Sequence, residues 1–87
     1  MRSINLGASK QLNLADFEDK SLIVVDDDDP FRNRLSRAME KKGFSVKEAK
    51  TAEKAIEIIK SNPPAFAVVD LRLETGNGLD VVKELSK

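Results

Sequence analysis

Two short apolar runs constrain the fold of this chain more than any other feature. Leu22–Val25 and Ala65–Val69 are apolar at every position, and each ends directly at an aspartate. A run of this length without alternation is typical of a strand that is covered on both faces. Strands of that kind belong to parallel sheets, because the crossover helices of such sheets lie on both faces. The sequence therefore predicts an α/β fold.

Helical segments lie between the predicted strands. The first is predicted to begin after the N-cap Asp29, with Pro30 at the first helical position, and to end at Gly43. Because apolar residues recur at i, i+4, i+7 and i+8, they are expected to share its inner face. That predicted inner face consists of Phe31, Leu35, Ala38 and Met39.

The rest of the chain continues the alternation of strands and helices. Phe44–Ala49 is predicted to be an edge strand, and Thr51 is expected to cap a helix that stops at residues 62–64. A turn at residues 75–78 precedes a third helix. The order β-α-β-α-β-α implies parallel strands with right-handed crossovers. Residues 1–20 have no sustained period, so we expect a flexible N-terminal arm there.

Aspartates follow both apolar strands at the point where each strand ends. Asp26 and Asp27 follow the first strand, and Asp70 follows the last. The carboxyl ends of neighbouring parallel strands meet at one crevice, so these three carboxylates are expected to share a pocket. Like charges held so close favour a cation between them, and hard oxygen ligands suit magnesium or calcium. Adjacent residues point to opposite sides, so Asp26 and Asp27 cannot act identically, and Asp70 could be a nucleophile or a ligand.

Composition excludes several kinds of chemistry. The chain of 87 residues has no cysteine and no histidine, which excludes disulfides, Cys/His zinc sites, thiol nucleophiles and a histidine general base. Lysine plus arginine (15) equals aspartate plus glutamate (15), so net charge gives no argument for binding nucleic acid or an anionic membrane. No apolar run is long enough to cross a membrane. We expect a soluble, cytoplasmic protein.

The residues around the acidic strand ends resemble those of a known family. Val25–Asp28, and Val69–Leu73 followed by Asn77–Leu79, resemble receiver domains of two-component response regulators. The stretches Arg37–Phe44 and Asp70–Leu79 are similar to the RegA/PrrA/ActR class of redox-responsive transcription regulators. This resemblance implies a flavodoxin-like doubly wound parallel sheet and a role in phosphorelay signalling. It also implies that the protein is not an enzyme.

The resemblance also implies a role for each acidic residue. Asp70 resembles the phosphoacceptor, Asp27 the direct Mg²⁺ ligand and Asp26 its water-mediated partner, while the backbone carbonyl of Arg72 resembles a third ligand. The implied partner is a sensor histidine kinase, whose phosphohistidine would supply the phosphoryl group. The implied output is transcription control through a DNA-binding domain that these 87 residues do not show.

The resemblance covers residues 21–87, which is expected to be a partial receiver domain in which strands 4 and 5 are absent. The strand at residues 65–69 would then be an exposed apolar edge, so we expect a homo-oligomer formed through that edge or by element swapping. Two other functions stay open. One is a non-phosphorylated dimerisation or interaction module. The other is a small aspartate-dependent phosphatase, which rests on the Asp26–Asp28 motif alone.

Overall fold

A parallel sheet with helices on both faces forms the body of the protein. The computed structural model describes residues 2–3, 19–73 and 76–87. In chain order the elements are β1 (Arg2–Ser3), β2 (Ser21–Val25), α1 (Asp29–Lys41), β3 (Ser45–Ala49), α2 (Ala52–Ser61), β4 (Phe66–Val69) and α3 (Gly78–Leu85). The strands are all parallel and lie in the order β1-β4-β2-β3. The predicted α/β fold is confirmed.

The two faces of the sheet form two separate cores. Alternate residues of β2 point to opposite faces, as strand geometry requires. One face packs on α2 and α3, and its buried residues are Ile23, Val25, Ala49, Ala52, Ala55, Ile59, Ala67, Leu73 and Val81. The other packs on α1, and its buried residues are Leu22, Val24, Met39, Phe44 and Phe66. Within the described ranges, no helix has the length and apolar character needed to cross a membrane.

The N-cap of α1 is Asp28, and the prediction of Asp29 as the cap is therefore wrong. The backbone of Asp28 is extended, and its Oδ1 accepts the amide of Phe31 at 3.1 Å. Asp29 is the first residue of the helix, where its carboxylate pairs with the Arg32 guanidinium and with Lys50. With two adjacent aspartates, sequence alone does not decide which one adopts the extended cap conformation.

Replacing Asp28 by alanine is expected to lower the free energy of unfolding by about 1 kcal/mol, because the amide of Phe31 loses its acceptor. Asp28→Asn keeps a side-chain acceptor and should leave stability near that of the wild type. Asp29→Ala should cost less than Asp28→Ala, because the Asp29 carboxylate is half-exposed and Arg32 keeps its bonds to Glu48 and to the carbonyl of Asp26. Urea unfolding of the three variants measures the order. If Asp29→Ala were the most damaging of the three, Asp29 would be the effective cap.

The buried stripe of α1 is rotated from the predicted one. Ser36 and Met39 are buried, whereas Phe31 and Ala38, which were predicted to face inward, are exposed. Arg32 precedes this stripe by one turn, and its side chain is only 12% exposed. The inner positions are thus 32, 36 and 39, at i, i+4 and i+7. Arg32 donates hydrogen bonds to Glu48 and to the carbonyl of Asp26, and these bonds favour this rotation of α1 over one that would bury only apolar residues.

The edge of β4 is partly covered by the N-terminal residues. Arg2 is in register with Phe66, and Ser3 with Ala67. The expectation of a flexible arm is therefore wrong for these two residues, and the predicted bare edge is corrected at Phe66 and Ala67. The unpaired backbone groups of an edge strand offer hydrogen-bond partners to another extended segment, which accounts for the pairing. The rest of the predicted arm, residues 1 and 4–18, lies outside the described residues, and homo-oligomerisation stays a prediction.

Candidate functional site

Three carboxylates meet at the carboxyl ends of the two central strands. The amide of Asp70 donates to the carbonyl of Val25 at 2.8 Å, which continues the pairing of β4 with β2 and sets the two strand ends side by side. One carboxylate oxygen from each of Asp26, Asp27 and Asp70 lies within 4.8 Å of the others, and all three residues are half-buried. The structure thus brings together the three acidic residues that the sequence predicted to share a pocket.

Each strand end is followed by a turn that its aspartate stabilises. Asp26 Oδ1 accepts the amide of Asp28 at 2.9 Å, and Asp70 Oδ1 accepts the amide of Arg72 at 2.8 Å. These bonds bend the chain away from the strand directly after each carboxylate, as aspartate side chains commonly do. Oδ1 of each residue is therefore engaged by the backbone, and its orientation is fixed within the site.

The oxygen-rich cluster is suited to a hard divalent cation. Magnesium and calcium both prefer carboxylate, carbonyl and water oxygens, and three carboxylates this close are unfavourable without a positive charge between them. The carboxylates of Asp26, Asp27 and Asp70 fit such an ion. The amide of Arg72 points to Asp70, which places the backbone of Arg72 beside the cluster.

Arg32 lies next to this cluster and bonds to the backbone of one of its residues and to two neighbouring carboxylates. Its guanidinium donates to the carbonyl of Asp26 at 2.9 Å and to Glu48 Oε1 at 3.0 Å, and pairs with Asp29 Oδ1 at 2.7 Å. Burial acts to lower the pKa of Arg32, but the hydrogen bonds to Asp29 and Glu48 outweigh it and raise that pKa. The hydrogen bond from Arg32, with help from Lys50, holds the pKa of Asp29 below its usual value. The contribution of Asp29 to stability is therefore present at neutral pH and is lost as pH falls through its folded-state pKa.

The first residue of α3 lies against the backbone of Asp70. A Cβ at Gly78 would lie 2.5 Å from the carbonyl oxygen of Asp70 and 2.6 Å from Cα of Leu71. Asn77 caps the helix at this point, because its Oδ1 accepts the amide of Leu79 at 2.8 Å. The start of α3 is thereby held directly on the segment that carries the Asp70 carboxylate.

Sequence reasoning missed Arg32, Glu48 and Gly78 as parts of the site. The spacing of Asp29 and Arg32 was a usable signal, because residues at i and i+3 on a helix can pair. Nothing local indicates Glu48, which reaches Arg32 from β3. Gly78 was assigned to a turn, and only the folded loop shows that it touches the backbone of Asp70.

Comparison with known proteins assigns the chain to a family. A model of the response regulator receiver domain matches residues 22–87. The chain belongs to the response regulator receiver domain family. A solved structure of this kind is a response regulator from Burkholderia pseudomallei with a phosphorylated aspartic acid, a calcium ion and citrate. It has a TM-score of 0.72 and 31% identity, and the match covers 77% of this chain and 39% of that one.

Curated relatives support the same assignment. The photosynthetic apparatus regulatory protein RegA of Rhodovulum sulfidophilum is 59% identical over 68 residues, which is 78% of this chain and 37% of the relative. The acid tolerance regulatory protein ActR of Rhizobium meliloti is 51% identical over 67 residues, or 77% of this chain and 34% of the relative. The chain therefore spans about a third of the length of these relatives. The predicted resemblance to the RegA and ActR class is confirmed.

Proposed function

We propose that this receiver domain accepts a phosphoryl group on the carboxylate of Asp70 from the phosphohistidine of a sensor histidine kinase, with Mg²⁺ in the carboxylate cluster. The observation that carries the proposal is the meeting of Asp70 with Asp26 and Asp27 within 4.8 Å. A response regulator with a similar fold and 31% identity has a phosphorylated aspartic acid and a calcium ion, which supports both parts of the proposal.

The reaction is a substitution at phosphorus. An oxygen of Asp70 forms the new bond to phosphorus as the bond from phosphorus to the histidine nitrogen breaks, and that nitrogen keeps the electron pair and takes up a proton. A divalent cation bound in the cluster would offset the negative charge that gathers between the carboxylate and the phosphoryl oxygens. Asp70 Oδ1 is held by the amide of Arg72, so Oδ2 is the oxygen that we assign to the attack.

The remaining site residues would share the binding of Mg²⁺. In this proposal Asp27 is the direct ligand, and the backbone carbonyl of Arg72 is a further one. Asp26 would act through a bound water. This is consistent with its Oδ1, which already accepts a hydrogen bond from the amide of Asp28. Magnesium favours such mixed coordination, because it dehydrates reluctantly. A cytoplasmic location, and control of a DNA-binding output domain beyond these 87 residues, belong to the same proposal.

Intact-mass measurement after incubation with Mg²⁺ and a small acyl phosphate tests the proposal. The wild-type chain is expected to gain the mass of one phosphoryl group, and Asp70→Asn is expected to gain none. Asp80→Asn, which neutralises an exposed aspartate in the first turn of α3, should be modified like the wild type. No adduct on any variant would favour an interaction module instead. Steady consumption of the donor would favour a phosphatase.

A further inference from the structure

Arg32 occupies a position where a helix normally places an apolar residue. It begins the inner stripe of α1 that continues through Ser36 and Met39, and its side chain is only 12% exposed. A charged side chain is rarely covered to this extent unless it is paired and hydrogen-bonded. The hydrogen-bond partners of the Arg32 guanidinium must therefore account for its inward position.

Each nitrogen of the Arg32 guanidinium has its own acceptor on a different part of the fold. Nη1 donates to the carbonyl of Asp26 at 2.9 Å, in the loop after β2. Nη2 pairs with Asp29 Oδ1 at 2.7 Å in the first turn of α1, and Nε donates to Glu48 Oε1 at 3.0 Å on β3. Arginine can make these three bonds at once because its donors form a rigid planar fork, which lysine lacks.

The bond to the Asp26 carbonyl reaches the main chain of the carboxylate cluster itself. The peptide that carries this carbonyl joins Asp26 to Asp27, so Arg32 fixes the link between two of the three clustered carboxylates. Glu48 in turn fixes Arg32 from the neighbouring strand. The bonds to Arg32 and Lys50 hold the carboxylate of Asp29 outside the cluster, although Asp29 is only two residues from Asp27.

We infer that Arg32 is a positioning residue, which holds the Asp26–Asp27 peptide in the geometry that binds a divalent cation. The inference rests on the proposed function for the identity of the site. Groups that orient metal ligands without touching the metal commonly change metal affinity by about 10- to 100-fold when they are removed. Arg32 acts on the backbone of a ligand-bearing loop, in the same indirect way.

A purely electrostatic role for Arg32 predicts the opposite result. A guanidinium behind a cation site repels the cation, so removal of its charge alone would tighten Mg²⁺ binding. Positioning predicts that binding weakens in spite of the lost repulsion. The sign of the change in affinity therefore separates the two roles, and a lysine at this position, which keeps the charge but not the fork, separates them again.

Calorimetric titration of the 87-residue chain with Mg²⁺ tests the inference. We expect Arg32→Ala to raise the dissociation constant about 10-fold and Arg32→Lys to raise it as well. The matched control is Arg34→Ala, which removes an exposed arginine two residues along the same helix and should change the constant by less than about twofold. Tighter or unchanged binding by Arg32→Ala, or wild-type binding by Arg32→Lys, would overturn the inference.

A second measurement separates positioning from loss of fold. The amide of Asp28 reports on the loop, because it donates to Asp26 Oδ1. Its NMR resonance should shift in Arg32→Lys and stay in place in Arg34→Ala, with the resonances of β4 unchanged in both. If Arg32→Ala does not fold, Arg32→Lys alone decides. Failure of the wild-type chain to bind Mg²⁺ would refute the proposed metal site, whereas wild-type binding with no effect of either Arg32 variant would refute only the role of Arg32.

Discussion

Gly78→Ala is expected to destabilise the protein and to weaken Mg²⁺ binding at the same time. The added Cβ would lie 2.5 Å from the carbonyl oxygen of Asp70 and 2.6 Å from Cα of Leu71. Both are backbone atoms, so no side-chain rotation relieves the contact, and either α3 or the segment after β4 must move. Overpacking of this kind costs about 1–3 kcal/mol and occasionally more.

Helix propensity acts against this effect. Alanine is favoured over glycine by about 1 kcal/mol inside a helix, and Gly78 has no positive φ that alanine would have to adopt. The benefit is smaller at the first residue of α3, where the backbone amides are not yet bonded within the helix. The close contact with Asp70 therefore outweighs propensity, and we expect a net loss in the free energy of unfolding.

Gly76→Ala is the matched control for this prediction. Gly76 has φ +87°, and a Cβ there would lie 2.8 Å from Cβ of Ala52 on α2 rather than against Asp70. It should lower stability while leaving the Mg²⁺ affinity of the folded protein near that of the wild type. Urea unfolding together with calorimetric titration distinguishes the two variants. Wild-type stability and affinity in Gly78→Ala would show that the α3 start does not hold Asp70 in place.

The site could be predicted where it depends on strand order alone. Leu22–Val25 and Ala65–Val69 are apolar throughout, so both were predicted as parallel strands covered on both faces, and their pairing then sets Asp26 beside Asp70. The caps and stops of α2 also follow from local chemistry, since Thr51 accepts the amide of Lys54 as predicted. Local signals of this kind do not depend on the rest of the fold.

Features that depend on distant residues could not be predicted from the sequence. The apolar pattern of α1 favours a face centred on Phe31 and Leu35, but the bonds of Arg32 to Glu48 and to the carbonyl of Asp26 favour another rotation. Likewise Arg2–Ser3 carries no strand pattern, yet it pairs with Phe66 and Ala67 at the edge of β4. In both cases the partner lies far along the chain, so local periodicity does not record the contact.

The carboxylate cluster should make stability depend strongly on Mg²⁺, and Asp26→Asn should remove most of that dependence. A ligand that binds only the folded state stabilises it by about 2.7 kcal/mol at 100 times its dissociation constant. Asparagine keeps Oδ1 for the amide of Asp28, so the substitution removes the charge and leaves the turn after β2 intact. The expected result is a large Mg²⁺-induced rise in Tm for the wild type and a small one for Asp26→Asn.

In the presence of a chelator the order of stability should reverse. Without a cation, the charges of Asp26, Asp27 and Asp70 lie within 4.8 Å of one another and repel. Two like charges at 4 Å interact by about 1 kcal/mol in water and more in a protein surface. Because these residues are half-buried, we expect Asp26→Asn to be more stable than the wild type by about 1 kcal/mol when no cation is present.

Asp28→Asn is the control, because it removes a charge from the same acidic run but from a residue outside the cluster, and asparagine still caps α1. Its Tm should respond to Mg²⁺ like that of the wild type. Thermal unfolding with chelator and with saturating Mg²⁺ gives both comparisons. An equal response in Asp26→Asn would exclude Asp26 from the cation site. Lower stability of that variant in chelator would show that the negative charge of Asp26 stabilises the turn after β2 by more than it repels Asp27 and Asp70.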